Sequence, residues 1–394
     1  MGQGTGEMNK GHRRVRKRRI VWLIASFVVI VVAVCGCQSV SFYRQAIGGE
    51  LHILTHQKPI TELLADTNTS QGLRHKFEVV LEARKFAQTN LHLPADDNYL
   101  KYVDLHRDFA VWNVNAAPPL SLEPKRWWYP FVGKASYRGY FAKDAAVKYA
   151  GQLKKKGFDI YVGAVQTYST LGWFHDPVLN TFITEPDADL AEILFHELAH
   201  QRLFISGDTD FNEAFATAVG EEGVRRWLER NPAVYEKYLQ KREQEGDFVN
   251  LVLATRDELK VVYDDSSLTD TAKLQRKGEI IAEMRNKHEQ LKAQWGGKSY
   301  YNRWFSTDIN NAKLNTISAY YTLVPAFRAL LKANGGDIER FYAEVEKLRK
   351  LPREQRHDVL KQSLQKTGSG VHNGSDFDAL HTSKVDRALA PKTR

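Results

Sequence analysis

Residues 190–200, Leu-Ala-Glu-Ile-Leu-Phe-His-Glu-Leu-Ala-His, are apolar on most faces of a helix yet carry two histidines and two glutamates. A helix apolar nearly all round is a buried helix, so the rest of the chain must fold around this segment. Polar groups on such a helix need partners or a purpose, because burying them unpaired is costly. His196 and His200 stand four residues apart, one above the other on one face, so both imidazoles can reach one metal ion. Glu197 lies about 100° round the helix from His196, close enough to face a water at the ion without ligating it. Metal-assisted hydrolysis needs this arrangement: an ion that acidifies water and a carboxylate that takes its proton. Two ordinary surface histidines are the alternative, and the apolar surroundings argue against it.

A catalytic metal needs a third protein ligand and one open position. Only two cysteines occur, Cys35 and Cys37, both near the N-terminus, so ligands in the body must be His, Asp or Glu. Asn212-Glu213-Ala214-Phe215-Ala216 begins a second helix beyond the turn Ser206-Gly207-Asp208-Thr209-Asp210. A hairpin with so short a turn can bring Glu213 back against His200. Glu221 and Glu222, further along the same helix, compete for the role, and a carboxylate that merely faces its helix dipole is the plainest alternative.

The formal net charge is +9, and seven basic residues against one acid in 1–36 supply most of it. The body is near neutral, which argues against a nucleic-acid partner. Residues 12–19 are basic, and Ile20–Val34 is an uninterrupted apolar or small stretch. That pairing describes a secretory signal. Val34-Cys35-Gly36-Cys37 resembles a bacterial lipobox, which points to Cys37 as the lipidated first residue of the mature chain. An uncleaved anchor is the alternative, although the run falls short of the ~20 residues that span comfortably. Both readings place the body outside the cytoplasm. Gln38 after the cysteine leans towards the outer membrane of a Gram-negative envelope.

The expected organisation is a signal at 1–36, a domain carrying the metal motif at 37–365 and a disordered tail at 366–394, where Gly, Ser, His and Asp predominate without periodicity. Helices are expected at 43–54 and 71–91, then at 144–156, ended by Gly157. The metal helix runs from Pro186 to about Phe204, and its partner from Phe211 to Leu228. Further helices are expected at 232–246, 251–263 and 269–295, at 310–333 with an interruption at Pro325, and at 338–348. Strands are expected at 159–165 and 179–184. Residues 112–140, rich in Trp, Tyr, Pro and Gly, read as an irregular segment beside a cleft.

His196-Glu197-Leu198-Ala199-His200-Gln201 with Asn212-Glu213-Ala214-Phe215-Ala216 resembles the gluzincin metallopeptidases. Val111-Trp112-Asn113-Val114, Ser136–Phe141, Tyr168–Phe174 and Asp176–Asn180 are similar, in the same order, to a bacterial family of predicted zinc aminopeptidases. The resemblance extends over roughly 34–350. It implies an α+β, mostly helical fold with a small sheet beside the metal helix. It also implies one zinc ion per chain on His196, His200 and Glu213, and peptide substrates. The sequence departs from better-known gluzincins in three ways: the gap to Glu213 is shorter, no Gly-x-Met-Glu-Asn motif precedes the metal helix, and Thr217 stands where thermolysin-like enzymes have Asp. Tyr320 and Tyr321, or Tyr137 and Arg138, are candidates to stabilise an oxyanion. In such peptidases an edge strand before the metal helix pairs with substrate, and Tyr168 and Trp173 could then line the cleft beside Tyr137 and Arg138. The expected activity removes N-terminal residues from envelope peptides; an endopeptidase and a non-catalytic zinc protein are the alternatives.

Overall fold

The computed structural model describes residues 42, 44–45, 48–49, 51–129, 133–167, 175–229 and 231–366, apart from the side chains of 319, 320 and 364–366. The signal, Cys37, Tyr168, Trp173 and the tail from 367 lie outside the described residues, as does the side chain of Tyr320. The chain divides into two units at Thr55. The first is helical where described, as at Leu51–Thr55. No helix among the described residues is long and apolar enough to cross a membrane.

The second unit opens with β1 (Lys58–Pro59), α1 (Ile60–Ala65) and α2 (Gln71–Asn90), the last capped by the Ser70 hydroxyl, which accepts from Leu73 N. Next come β2 (Lys101–Val103), β3 (Val111–Ala117), β4 (Trp127–Tyr129), β5 (Gly133–Ala135) and β6 (Tyr137–Tyr140). The expected irregular segment at 112–140 is therefore largely strand. α3 (Lys143–Lys155) leads to β7 (Asp159–Val165), as expected. β8 (Val178–Leu179) is only two residues long, and Asn180–Ile183 is the short helix α4. The strand expected at 179–184 is thus corrected. Asn180 is the reason: its Oδ1 accepts from Leu105 N and its Nδ2 donates to Arg107 O, fixing the chain in a turn.

β6, β3 and β7 form an antiparallel sheet in that order, with Val114 opposite both Arg138 and Val162. β7 is therefore an edge strand. β1, β2 and β8 form a second small sheet, and β4 and β5 a hairpin.

The remainder is helical. α5 (Asp187–Arg202) and α6 (Thr209–Leu228) form the central hairpin, followed by α7 (Pro232–Asp264) and α8 (Asp270–Gln294). α7 is continuous where two helices are expected: Gly246 lies in its middle without breaking it. α9 (Asn302–Phe305), α10 (Asn311–Tyr321), α11 (Val324–Ala333), α12 (Ile338–Arg349) and α13 (Arg353–Lys366) complete the unit. The core behind the hairpin is aromatic: Phe215 packs on Phe327, Phe341 and Tyr342. A second core joins α7, α8 and α10 through Phe248, Val252, Leu259, Met284 and Leu314. The mixture is α+β and mostly helical, as expected.

Candidate metal centre and cleft

α5 is built as its sequence requires. Leu190, Leu194, Phe195 and Leu198 are fully buried. His196, Glu197 and His200 occupy the remaining face, with His200 buried and the other two half-buried. α6 crosses α5 closely because two of its glycines leave room. A Cβ on Gly223 would stand 2.5 Å from Phe195 Cδ2 and 2.8 Å from Leu91 Cδ1. One on Gly220 would meet Glu192 O at 3.2 Å and His196 Cβ at 3.5 Å. These glycines share a helix face with Glu213, seven and ten residues earlier.

The turn between the helices is closed by the buried Asn212. Its Oδ1 accepts from Ile205 N at 2.9 Å and its Nδ2 donates to Ile205 O at 2.8 Å. The asparagine thus ties the end of one helix to the start of the next, and Glu213 follows it. Asp208, at the N-cap of α6, caps no amide of its own helix. It is instead gripped by α13: Arg356, Arg353 and His357 all reach its carboxylate, the last at 2.9 Å. Burial alone would raise Asp208, but His357, Arg356 and Arg353 hold it below its ordinary value.

His196 Nε2 and His200 Nε2 lie 3.2 Å apart, and Glu213 Oε2 stands 3.4 Å and 3.6 Å from them. These three side chains could hold a metal ion. Burial pushes the Glu213 carboxyl upward, yet the charges and hydrogen bonds of His200 and His196 bring it down to about 2. Burial likewise pushes His200 downward, and the Glu213 charge reverses this, so its net shift is upward. The competing carboxylates are engaged elsewhere. Glu221 is held by Arg242 and by Arg328, whose Nε is 2.7 Å away. Glu222 is held by Arg225 and Arg226, each through an Nε at 2.7 Å.

Two tyrosines stand near the carboxylates. Tyr137 on β6 has its phenol pushed well up, first by burial and then by the charges of Glu213 and Glu197. Tyr99 is raised by burial, then by Glu197 and Asp176. Sequence reasoning named Tyr137 and missed Tyr99. The signal for Tyr99 was slight. It is a left-handed residue, φ +59°, in a loop where Asn98 Nδ2 donates to Gln201 Oε1 at 2.8 Å, directly after His200. Arg138, next to Tyr137 on a strand, points to the other face. It lies over the Tyr149 ring at 4.7 Å, and the structure does not bring it to the metal centre. Tyr321 donates its hydroxyl to Glu245.

A cleft of about 770 Å³ is walled by β3, β7, α7, α10 and α13, with Tyr137 and Tyr321 among its lining residues; His196, Glu197, His200 and Glu213 do not line it. The edge strand β7 contributes Tyr161 and Gly163 to this wall. Asn310 already takes one of its free carbonyls, donating to Ile160 O at 3.0 Å.

Fold and centre together define a mostly helical protein with a three-residue group able to hold a metal ion. The family model described as Putative aminopeptidase matches residues 41–360. The chain belongs to that family, and peptide hydrolysis is the activity that membership suggests. No curated protein and no solved structure matches it.

Proposed function

We propose that the chain is a zinc-dependent aminopeptidase of the bacterial cell envelope. The observation that carries this is the spacing of three donor atoms: 3.2, 3.4 and 3.6 Å between His196 Nε2, His200 Nε2 and Glu213 Oε2. A tetrahedral zinc site with ligands at about 2.0–2.1 Å sets them about 3.3–3.4 Å apart. Two imidazoles and one carboxylate are also the donor set of a hydrolytic zinc with a position left open. The residues present therefore fit the ion.

When bound, zinc supplies Lewis acidity to water and to the scissile carbonyl. Glu197, one residue beyond His196, accepts the proton of the attacking water and passes it to the departing amine. Tyr137 keeps its proton at working pH, because burial and the neighbouring carboxylates oppose its ionisation. It can therefore donate a hydrogen bond to the oxyanion. The edge of β7 offers backbone groups to an extended substrate. Removal of N-terminal residues follows the family description. The lipobox resemblance at Cys37 supports a lipid anchor, with the body in the periplasm.

The test is metal analysis and peptide hydrolysis by the full chain, beside Glu197→Gln, on peptides with free or acetylated N-termini. Zinc at one ion per chain, with activity confined to free N-termini and lost in the variant, is the expected result. Cleavage of both peptide sets would make the protein an endopeptidase; absence of zinc from both proteins would sink the reading.

A further inference from the structure

Four buried side-chain polar atoms, belonging to residues that line the cleft, have no hydrogen-bond partner among the described residues. They are Arg256 Nε, Trp304 Nε1, and both Nδ2 and Oδ1 of Asn315. Each such atom ordinarily costs on the order of 1–3 kcal/mol, and native proteins keep few of them. Their gathering at one cleft calls for a ligand that meets them.

The three residues come from packed elements. Arg256 lies on α7 between Val252 and Leu259, at spacings of four and three residues, where both neighbours are fully buried in the α7–α10 core. A guanidinium there interrupts an apolar stripe. Asn315 is buried on α10, on the polar face that also carries Asn311, Ser318 and Thr322. Asn311 is satisfied, donating to the carbonyls of Pro118, Pro119 and Ser121. Asn315 is not, although it occupies the next turn.

Among the described residues Arg256 makes no ion pair within 4 Å. The acids on the same walls are Glu123 and Asp210, and Asp210 is taken by Arg353 at 2.8 Å. Arg126, Lys260 and Lys361 leave the cleft with an excess of positive charge. A guanidinium is suited to a planar carboxylate, which it can grip with two parallel hydrogen bonds. A free carboxamide offers one donor and one acceptor, the complement of a peptide group. A carboxylate next to a peptide group is a peptide's C-terminus.

We propose that the cleft recognises the C-terminal carboxylate of short peptides, with Arg256 binding the carboxylate and Asn315 the adjoining peptide group. This deepens the reading of the protein as a peptidase and rests on it. The cleft volume of about 770 Å³ suits a short peptide rather than a folded protein. Tyr137 lines this cleft, on the strand β6.

The experiment compares tetraalanine as free acid, tetraalanine amide, and an amidated tetrapeptide with one internal Glu. The full chain and Arg256→Met are each assayed for kcat and KM. Binding of the same peptides to chelator-treated, metal-free protein is measured by calorimetry. The expected result is a preference for the free acid of about 10- to 100-fold, carried by KM and by Kd, and collapsed in Arg256→Met. Arg256→Lys, which keeps the charge without the fork, should recover part of it. Equal handling of acid and amide by the unmodified protein overturns the proposal, even if Arg256→Met fails to fold. So does a preference that survives Arg256→Met, or one satisfied by the internal Glu. Selective binding of the free acid without hydrolysis would uphold the carboxylate site while the peptidase reading failed.

Discussion

Two helix pairs of the same unit are built on opposite terms. In the α5–α6 hairpin, closeness is everything. Gly220 and Gly223 let the backbones approach, Asn212 closes the turn with two hydrogen bonds, and the spare carboxylates Glu221 and Glu222 are paired with arginines. In the α7–α10 pair, the apolar seam is interrupted by Arg256 and Asn315, and polar atoms are left unmet. The first pair spends its sequence on fixing three donor atoms. The second keeps hydrogen-bonding capacity in reserve. Chemistry at a metal demands fixed positions, while recognition demands groups whose partners arrive with the ligand.

The sharpest way to break this contrast is within the hairpin. Glu197→Gln should lower kcat by about 10²- to 10⁴-fold while zinc content, measured by atomic absorption, stays at one per chain. Loss of the ion as well would make Glu197 part of the metal's support rather than its base. Tyr137→Phe should cost on the order of 10²-fold in kcat with KM little moved, the mark of a donor used at the transition state. A change confined to KM would instead assign Tyr137 to the recognising side. Gly223→Ala should lower unfolding stability by about 1–3 kcal/mol in denaturant melts, because Phe195 and Leu91 must shift. Gly220→Ala should cost less, since its nearest neighbour is 3.2 Å away. Equal costs would mean that the interhelical distance is not set at Gly223.

The smallest effect lies at the hairpin's far end. The carboxyl of Asp208 is held below its unfolded value, so its contribution to stability is present above the unfolded pKa, near 3.9. That contribution is lost as pH falls through the lower folded value. Melting temperature should therefore drop more steeply below about pH 4 in the unmodified protein than in Asp208→Asn. Parallel acid limbs would show that the α13 contact does not support the hairpin.

The hairpin was largely legible in the sequence because its constraints are local. Two histidines at helical spacing and an Asn-Glu after a short turn suffice to bring the ligands together, and β7 was found at its observed limits. The cleft wall was less legible. The strand at 137–140 is only four residues long and contains Gly139, so alternation has little length in which to show, and 111–117 begins and ends on pairs of apolar residues that break the alternation. Gly246 suggested a break in α7, yet an interior glycine costs a helix only about 1 kcal/mol, and packing outweighs that. α13 was missed because it is polar on most faces. Leu360 is its one buried apolar residue among those described, and Arg356, also buried, docks by ion pairs. Arg256 reads in sequence as one more surface charge. Only the helix packed against it shows that it interrupts a core.

The contact between Arg356 and Asp208 spans 148 residues. During synthesis the two histidines and the glutamate leave the ribosome long before the arginines that fasten the start of their second helix. A nascent or truncated chain ending short of Arg353 therefore carries His196, His200 and Glu213 without the clamp at that helix start.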